Sequence, residues 1–335
     1  MIRFFRIILL TVFLAVASCG RGNPSSQADA SDLARKLLPT RSFPRVEQPA
    51  MMAGNSPMEA TFYAVEHFWD NYFRDVSRFR TDSLHVGGVG RKELEQAFGS
   101  YATLLWSVSP ETAAASTSRL YDLLAASRNV PVAEAFVEWM SHYLYDPNSP
   151  VRCEDFYLPF VEKLAEGDLL PEEQRMSYGF QARMCALNRM GTPAADFPFT
   201  DIRGRVRTLY SIDAEYLLLI FGNPDCGACK DLVRDMEADS DVTALITSGR
   251  LKVVDIFIDR EVDAWKARSA DYPRAWINGY DHKFQIRDDL LYHVRAIPSM
   301  YLLDRDKKVL LKDADAGLLL SCLAQLAGYD STDYL

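Results

Sequence analysis

Apolar side chains recur at intervals of three and four residues between residues 56 and 190, and this spacing predicts helices. The first predicted helix, 58–79, follows Ser56 and Pro57, a capping residue and a first-turn proline. Further helices are predicted at 92–106, 109–127, 131–145, 154–165 and 171–190. We therefore expect residues 56–189 to form an all-α domain of about six helices.

Aromatic residues in this region follow the helical spacing. They include Phe62, Phe68, Trp69, Phe73, Trp139, Tyr143 and Tyr145. One interpretation is that these rings line a peptide groove. Their helical spacing favours the other interpretation, in which they pack into the core of the domain.

The pattern changes after Met190 from helical spacing to short, continuous apolar runs. Runs at 217–221 and 251–258 predict buried strands, and the segments 301–304 and 309–312 predict a hairpin. A last helix is predicted at 318–327. Residues 190–335 are therefore predicted to form a layered α/β domain with a central mixed sheet and flanking helices.

The N-terminus has the features of a targeting segment. Two arginines precede an apolar stretch, 7–16, that is too short to cross a bilayer. Val16-Ala17-Ser18-Cys19 then resembles a bacterial lipobox, in which the chain is cut before the cysteine and the cysteine is lipidated. We expect residues 1–18 to be a signal peptide and Cys19 to be lipidated, the alternative being an ordinary secretory signal with a chance cysteine.

Residues 19–55 begin with a polar, pattern-free stretch and are expected to act as a lipidated tether or linker. This places the protein in the cell envelope, at the outer membrane or the periplasmic face. The chain has a net charge of −9, which loss of the signal peptide makes more negative. Such a charge argues against nucleic-acid partners, and contact with the membrane is expected through the lipid alone.

The sequence Cys226-Gly227-Ala228-Cys229 lies between the predicted strand 217–221 and a stretch of helical spacing, 230–236. At the N-terminus of a helix, unpaired N–H groups and the helix dipole favour a thiolate over a thiol. We therefore predict Cys226 as a nucleophile and Cys229 as the thiol that resolves its mixed disulfide. Asp225 opposes this effect, because a neighbouring carboxylate disfavours a second negative charge.

Two other interpretations of the pair are open. It is half of a zinc site only if His282 and His293 complete the ligand set, since no second CxxC is present. It is otherwise an inert or static pair in a binding lipoprotein. We expect neither a metal nor a cofactor.

Three further cysteines remain. Cys322 lies in an apolar run and is expected to be a buried helical thiol. Cys153 and Cys185 are interpreted either as a disulfide or, preferably, as two separate buried thiols.

Residues 190–328 resemble the thioredoxin superfamily, in particular its membrane-associated TlpA/ResA-like branch. The resemblance rests on the lead-in segment 191–209, on the CxxC sequence at its expected distance, and on Ile297-Pro298-Ser299-Met300 with the strand that follows. It implies a cis bond before Pro298, next to the cysteines. It also implies that backbone groups at Ile297 and Pro298 bind an extended substrate peptide.

The chain departs from this family pattern at two positions. Ile220 stands where many thioredoxins have a buried acid that relays a proton, and Glu215 or Asp255 is a candidate to replace it. Asp225 stands where an aromatic residue commonly precedes the first cysteine. These departures change the local charge and the surface presented to a substrate.

The whole chain also resembles lipoproteins of Bacteroides-type bacteria, in which a helical domain of unknown function precedes a thioredoxin-like domain. Residues 110–116 and 143–150 carry this resemblance. The prediction is an exported, lipid-anchored thiol–disulfide oxidoreductase that acts on protein or peptide thiols and disulfides and exchanges electrons with a separate protein. The rival prediction is a redox-inert scaffold with a structural disulfide.

Overall fold

The computed structural model describes residues 37–46, 56–268 and 271–328. The predicted signal peptide, Cys19 and most of the predicted tether lie outside the described residues. Within them, a helical region is followed by a seven-stranded mixed sheet with flanking helices. The predicted fold class is confirmed. No helix in these ranges is both long enough and apolar enough to cross a membrane.

The helical region begins at a capping box, in which the Ser56 side chain accepts from the backbone N–H of Glu59 and the Glu59 side chain accepts from that of Ser56. A small hairpin, which the sequence pattern did not predict, interrupts the helices at β1 (His85–Val86) and β2 (Val89–Gly90). The helices are α1 (Pro57–Glu66), α2 (Asp70–Phe73), α3 (Arg91–Leu104), α4 (Pro110–Ser127), α5 (Val130–Met140), α6 (Glu154–Glu166) and α7 (Glu172–Cys185).

The single helix predicted at 58–79 is wrong. The chain leaves the helix after Glu66, resumes for one turn, and stops near Asp75, whose φ of 55° is left-handed. Apolar side chains before and after the breaks pack into the same core, so their spacing does not reveal the breaks. The last predicted helix is also too long, because α7 ends at Cys185 rather than at residue 190.

Most of the aromatic side chains named above belong to the core of this region or pack against it, as their spacing predicted, whereas Phe62 is half-buried outside that core. Trp69 and Phe136 meet edge to face with ring centroids 4.9 Å apart, and both are buried. Trp139 packs against Phe136 at 5.5 Å. Edge-to-face contacts of this kind stabilise a buried cluster beyond the burial of apolar area alone.

The sheet has the strand order β4-β3-β7-β6-β5-β8-β9. The three central strands, β5, β6 and β7, run parallel, and β8 runs antiparallel to β5. Both faces of β5 are buried, in separate apolar clusters on the two sides of the sheet. The strands are β3 (Pro198–Asp201), β4 (Val206–Thr208), β5 (Tyr216–Gly222), β6 (Leu251–Phe257), β7 (Ile277–Tyr280), β8 (Ser299–Leu303) and β9 (Val309–Lys312).

In the part of the chain that the structure describes, four α-helices flank the sheet. They are α8 (Gly227–Ala238), α9 (Ser240–Thr247), α10 (Val262–Ala267) and α11 (Ala316–Gly328). The structure confirms the predicted hairpin as β8 and β9, and it confirms the last helix as α11. The sequence pattern predicted neither α9 nor β7.

A buried ionic cluster joins the helical region to the sheet region. The carboxylate of Glu154, in the first turn of α6, lies 2.9 Å from His293 Nδ1, 3.0 Å from Arg295 Nε and 2.8 Å from Lys312 Nζ. Burial alone would raise the pKa of Glu154, but the hydrogen bond from His293 and the charges of Lys312 and Arg295 lower it to about 2.

Arg152 also links the helical region to the sheet region. Its guanidinium donates to the carbonyl oxygens of Asp313 at 2.7 Å and Ala314 at 2.8 Å. Asp313 also accepts from the hydroxyl of Ser299 at 2.7 Å. The helical region is thus bonded to the segment 293–299, which carries Pro298.

Candidate functional site

Helix α8 begins at the CxxC sequence. Cys226 caps the helix, and its Sγ accepts the backbone N–H of Cys229 at 3.3 Å. Both residues are free thiols, with Cys226 half-buried and Cys229 buried. The strand, turn and helix around them have the order that the sequence predicted.

The two thiols differ in environment. Burial, followed by the hydrogen bond with Cys226, raises the pKa of Cys229 well above its usual value. Cys229 lines a cleft of about 270 Å³ together with Pro224, Tyr272 and Asp255. The pair therefore combines an accessible first sulfur with a covered second sulfur that is held in the protonated form.

The geometry distinguishes between the two candidate acids. Glu215 is bound by Arg250 at 3.1 Å, at the start of β5. Asp255 lies in β6 opposite Ile220, and it is buried in the cleft beside Cys229. Asp255 therefore has the location of a proton acceptor, and Glu215 does not.

Burial raises the pKa of Asp255 to about 7. Its Oδ1 accepts no hydrogen bond from the described part of the chain. Gly222 leaves room for this carboxyl group, because a Cβ at that position would lie 3.0 Å from Oδ1. The side chain is thus a buried acid that exchanges its proton near neutral pH.

The segment after His293 lies against the first cysteine. The peptide bond between Ile297 and Pro298 is cis. The thiol of Cys226 donates to the carbonyl oxygen of Ile297 at 3.6 Å. Three of the residues singled out in the sequence therefore meet at one edge of the sheet.

Asp225 is paired rather than free. Its carboxylate lies 2.9 Å from a guanidinium nitrogen of Arg268, and both side chains are largely exposed. This pair offsets the negative charge next to Cys226. Sequence reasoning missed Arg268 and Tyr272, because both lie about 40 positions or more from the cysteines in a segment with no recognisable motif.

The remaining cysteines lie away from this site. Cys153 and Cys185 are separate free thiols, both buried, and Cys322 is half-buried in α11. Burial raises the pKa of all three, which makes them poor nucleophiles.

The two histidines considered for a zinc site each bind a different side chain. His282 hydrogen-bonds to Thr200, and His293 belongs to the Glu154 cluster. In the ranges that the structure describes, no group of three or more His, Cys, Asp or Glu residues is placed to hold a metal ion.

Comparisons with known proteins agree with this architecture. Residues 18–188 match the family described as Domain of unknown function (DUF5106), and the chain belongs to that family. A thioredoxin-like protein from Bacteroides caccae is 32% identical, with a TM-score of 0.72. The match covers 84% of this chain and 98% of that one. The chain is therefore a DUF5106 protein whose second half has a thioredoxin-like fold.

Two shorter structures each match less than half of this chain. The C-terminal domain of a protein from Bacteroides fragilis is 42% identical over 41% of this chain and 98% of that one, with a TM-score of 0.40. The thioredoxin domain of a thiol-disulfide oxidoreductase from Bacteroides vulgatus is 19% identical over 42% and 98%, with a TM-score of 0.37. No curated protein matches the sequence.

Proposed function

We propose that this protein is a thiol–disulfide oxidoreductase that acts on protein or peptide disulfides through Cys226 and Cys229. The observation that carries the proposal is the position of Cys226. Its Sγ is half-buried, lies at the N-terminus of α8, and is 3.6 Å from the carbonyl oxygen of Ile297. A thioredoxin-like fold at 32% identity to the Bacteroides caccae protein supports the same conclusion.

In the reductive direction, the Cys226 thiolate attacks one sulfur of a substrate disulfide. A mixed disulfide forms, and the other substrate sulfur leaves as a thiolate. Cys229 then loses its proton and attacks the Cys226 sulfur, which releases the second substrate thiolate. Two electrons pass to the substrate, and a disulfide joins Cys226 to Cys229. A dithiol of a separate protein restores the pair, and the potentials of the two partners decide the direction of the cycle.

The buried acid accounts for the second step. Cys229 has a raised pKa and must be deprotonated before it attacks. Asp255 lies in the same cleft with a pKa of about 7, so it accepts that proton at neutral pH. Asp255 thereby replaces the acid that is absent at Ile220.

Backbone groups at Ile297 and Pro298 would align an extended substrate peptide beside Cys226. We further propose that the protein is exported and lipid-anchored through Cys19 in the cell envelope. Metabolic labelling with a fatty-acid analogue tests this, and Cys19→Ala should abolish incorporation of the label.

The exchange activity is tested by trapping. The full chain carrying Cys229→Ser should accumulate a mixed disulfide with a disulfide-bonded peptide, because the resolving thiol is missing. Cys226→Ser should trap nothing. A protein with no mixed disulfide in either variant would be the redox-inert scaffold instead.

A further inference from the structure

A second groove, next to the cysteine cleft, concentrates positive charge in an otherwise acidic chain. Four arginines line it: Arg203, Arg205, Arg207 and Arg274. Its volume is about 660 Å³. Since the whole chain has a net charge of −9, the groove has the opposite sign to the protein that surrounds it.

Most of this charge is not neutralised within the described residues. Asp201 is the one carboxylate among the residues that line the groove, and Arg205 already binds it at 2.8 Å. For the part of the chain that the structure describes, Arg203, Arg207 and Arg274 have no carboxylate within 4 Å. Three guanidinium groups are therefore available to an anionic ligand.

A second observation points to a ligand that also offers hydrogen-bond donors. Asn278 lines the groove and is only 6% exposed, yet its side-chain oxygen accepts no hydrogen bond from the described residues. A buried polar atom of this kind is stabilised by a partner, and a peptide supplies both N–H and C=O groups.

The groove leads to the cysteines. Tyr272 lines both the groove and the cleft that contains Cys229 and Asp255. A polypeptide held in the groove therefore lies beside the cleft that contains Cys229 of the CxxC pair. This continuity favours a segment of the substrate over an isolated small anion.

We propose that the arginine groove binds an acidic segment of the polypeptide that exchanges its disulfide at Cys226, an inference that rests on the proposed function. Arginine pairs with carboxylates through two parallel hydrogen bonds, which gives orientation as well as affinity. Charge attraction across a surface groove also speeds association and weakens as salt rises. The groove would thus select substrates with Asp or Glu beside the disulfide.

Binding is tested first, without any exchange chemistry. The full chain carrying Cys226→Ser and Cys229→Ser is titrated into a fluorescent, cysteine-free peptide rich in Asp and Glu, and into its Asn/Gln counterpart. We expect the acidic peptide to bind about tenfold or more tightly than the neutral one, with the preference lost near 0.5 M salt. Adding Arg203→Gln, Arg207→Gln and Arg274→Gln should abolish the preference.

A charge-matched control replaces three exposed arginines elsewhere with glutamine: Arg78, Arg183 and Arg305. The control should keep the preference for the acidic peptide. Equal binding of the two peptides, or the same loss in the control as in the groove variant, would overturn the inference. Displacement of the peptide by an equimolar amount of inorganic phosphate would also overturn it, since the site would then take a small anion.

Exchange is measured second, with the same two peptides carrying a disulfide and the cysteines of the protein restored. The exchange rate of the acidic peptide should exceed that of the neutral peptide in the wild-type groove. In the groove variant the two rates should be nearly equal. Equal rates with active exchange would contradict the inference and leave the proposed function intact. Arginine-dependent binding with no exchange would support the groove and contradict the proposed function.

Discussion

The thiol of Cys226 lies 3.6 Å from the carbonyl oxygen of Ile297, although 71 residues separate them in the chain. The contact joins the start of α8 to the residue before Pro298. A substrate peptide that pairs with this backbone therefore lies within reach of the sulfur. The proposed chemistry depends on this juxtaposition.

Asp255→Asn should slow the resolution of the mixed disulfide by about 10²-fold near pH 7, because it removes the proton acceptor. In the wild type the rate should rise as pH rises through about 7, where the carboxyl loses its proton. Stopped-flow measurement of single-turnover reduction between pH 5 and 9 checks this. Identical profiles in the two proteins would show that Asp255 takes no part.

The same substitution should alter the dependence of stability on pH. The pKa of Asp255 is raised from 3.8 to about 7 in the folded protein, so its protonated form stabilises the fold and this contribution is lost as pH rises. The shift corresponds to roughly 4 kcal/mol. Asp255→Asn should therefore raise the melting temperature at pH 8 and have a smaller effect near pH 4. Asp263→Asn, at a fully exposed position, is the matched control.

Glu154→Gln should destabilise the protein by about 3–5 kcal/mol, because it leaves buried Lys312 without its carboxylate and removes one of the two carboxylates that bind Arg295. The pKa of Glu154 is lowered from 4.5 to about 2, so its contribution is present above pH 4.5 and is lost as pH falls through 2. Chemical denaturation at pH 7 and at pH 3 measures both effects. Glu173→Gln on the exposed side of α7 should change little, and equal stability of the two variants would refute a structural role for the cluster.

Asp225→Asn should increase the rate at which iodoacetamide alkylates Cys226 by a few fold, since it removes a negative charge next to the thiolate. Arg268→Gln should decrease the rate, because it leaves the Asp225 charge without its partner. Mass spectrometry of the alkylated protein follows both variants. An unchanged rate in both variants would show that this pair does not influence the cysteine.

Much of the fold could be predicted because apolar spacing follows local structure. The runs that became β5 and β6 and the stretch that became α6 were read directly from the sequence. Spacing could not reveal the break at Asp75, because the buried side chains on either side of it pack into the same core. Short, amphipathic α9 and four-residue β7 were too brief to give a period.

Part of the candidate site could likewise be predicted from the sequence, and part could not. Cys226 and Cys229 are neighbours in sequence, and Pro298 carries a recognisable motif. The choice of Asp255 over Glu215 required the pairing of β5 with β6, which no local pattern specifies. Arg268, Tyr272 and the arginine groove depend on contacts between distant segments, which the sequence alone does not define.

The reduction potential of the Cys226–Cys229 pair tests the central claim most directly. The full chain is equilibrated with glutathione buffers of increasing reducing power, and the fraction of free thiol is measured, with Cys226→Ser as the control. The account predicts a reversible two-electron transition between about −180 and −300 mV. A disulfide that stays oxidised throughout the titration would contradict it and would identify the pair as structural.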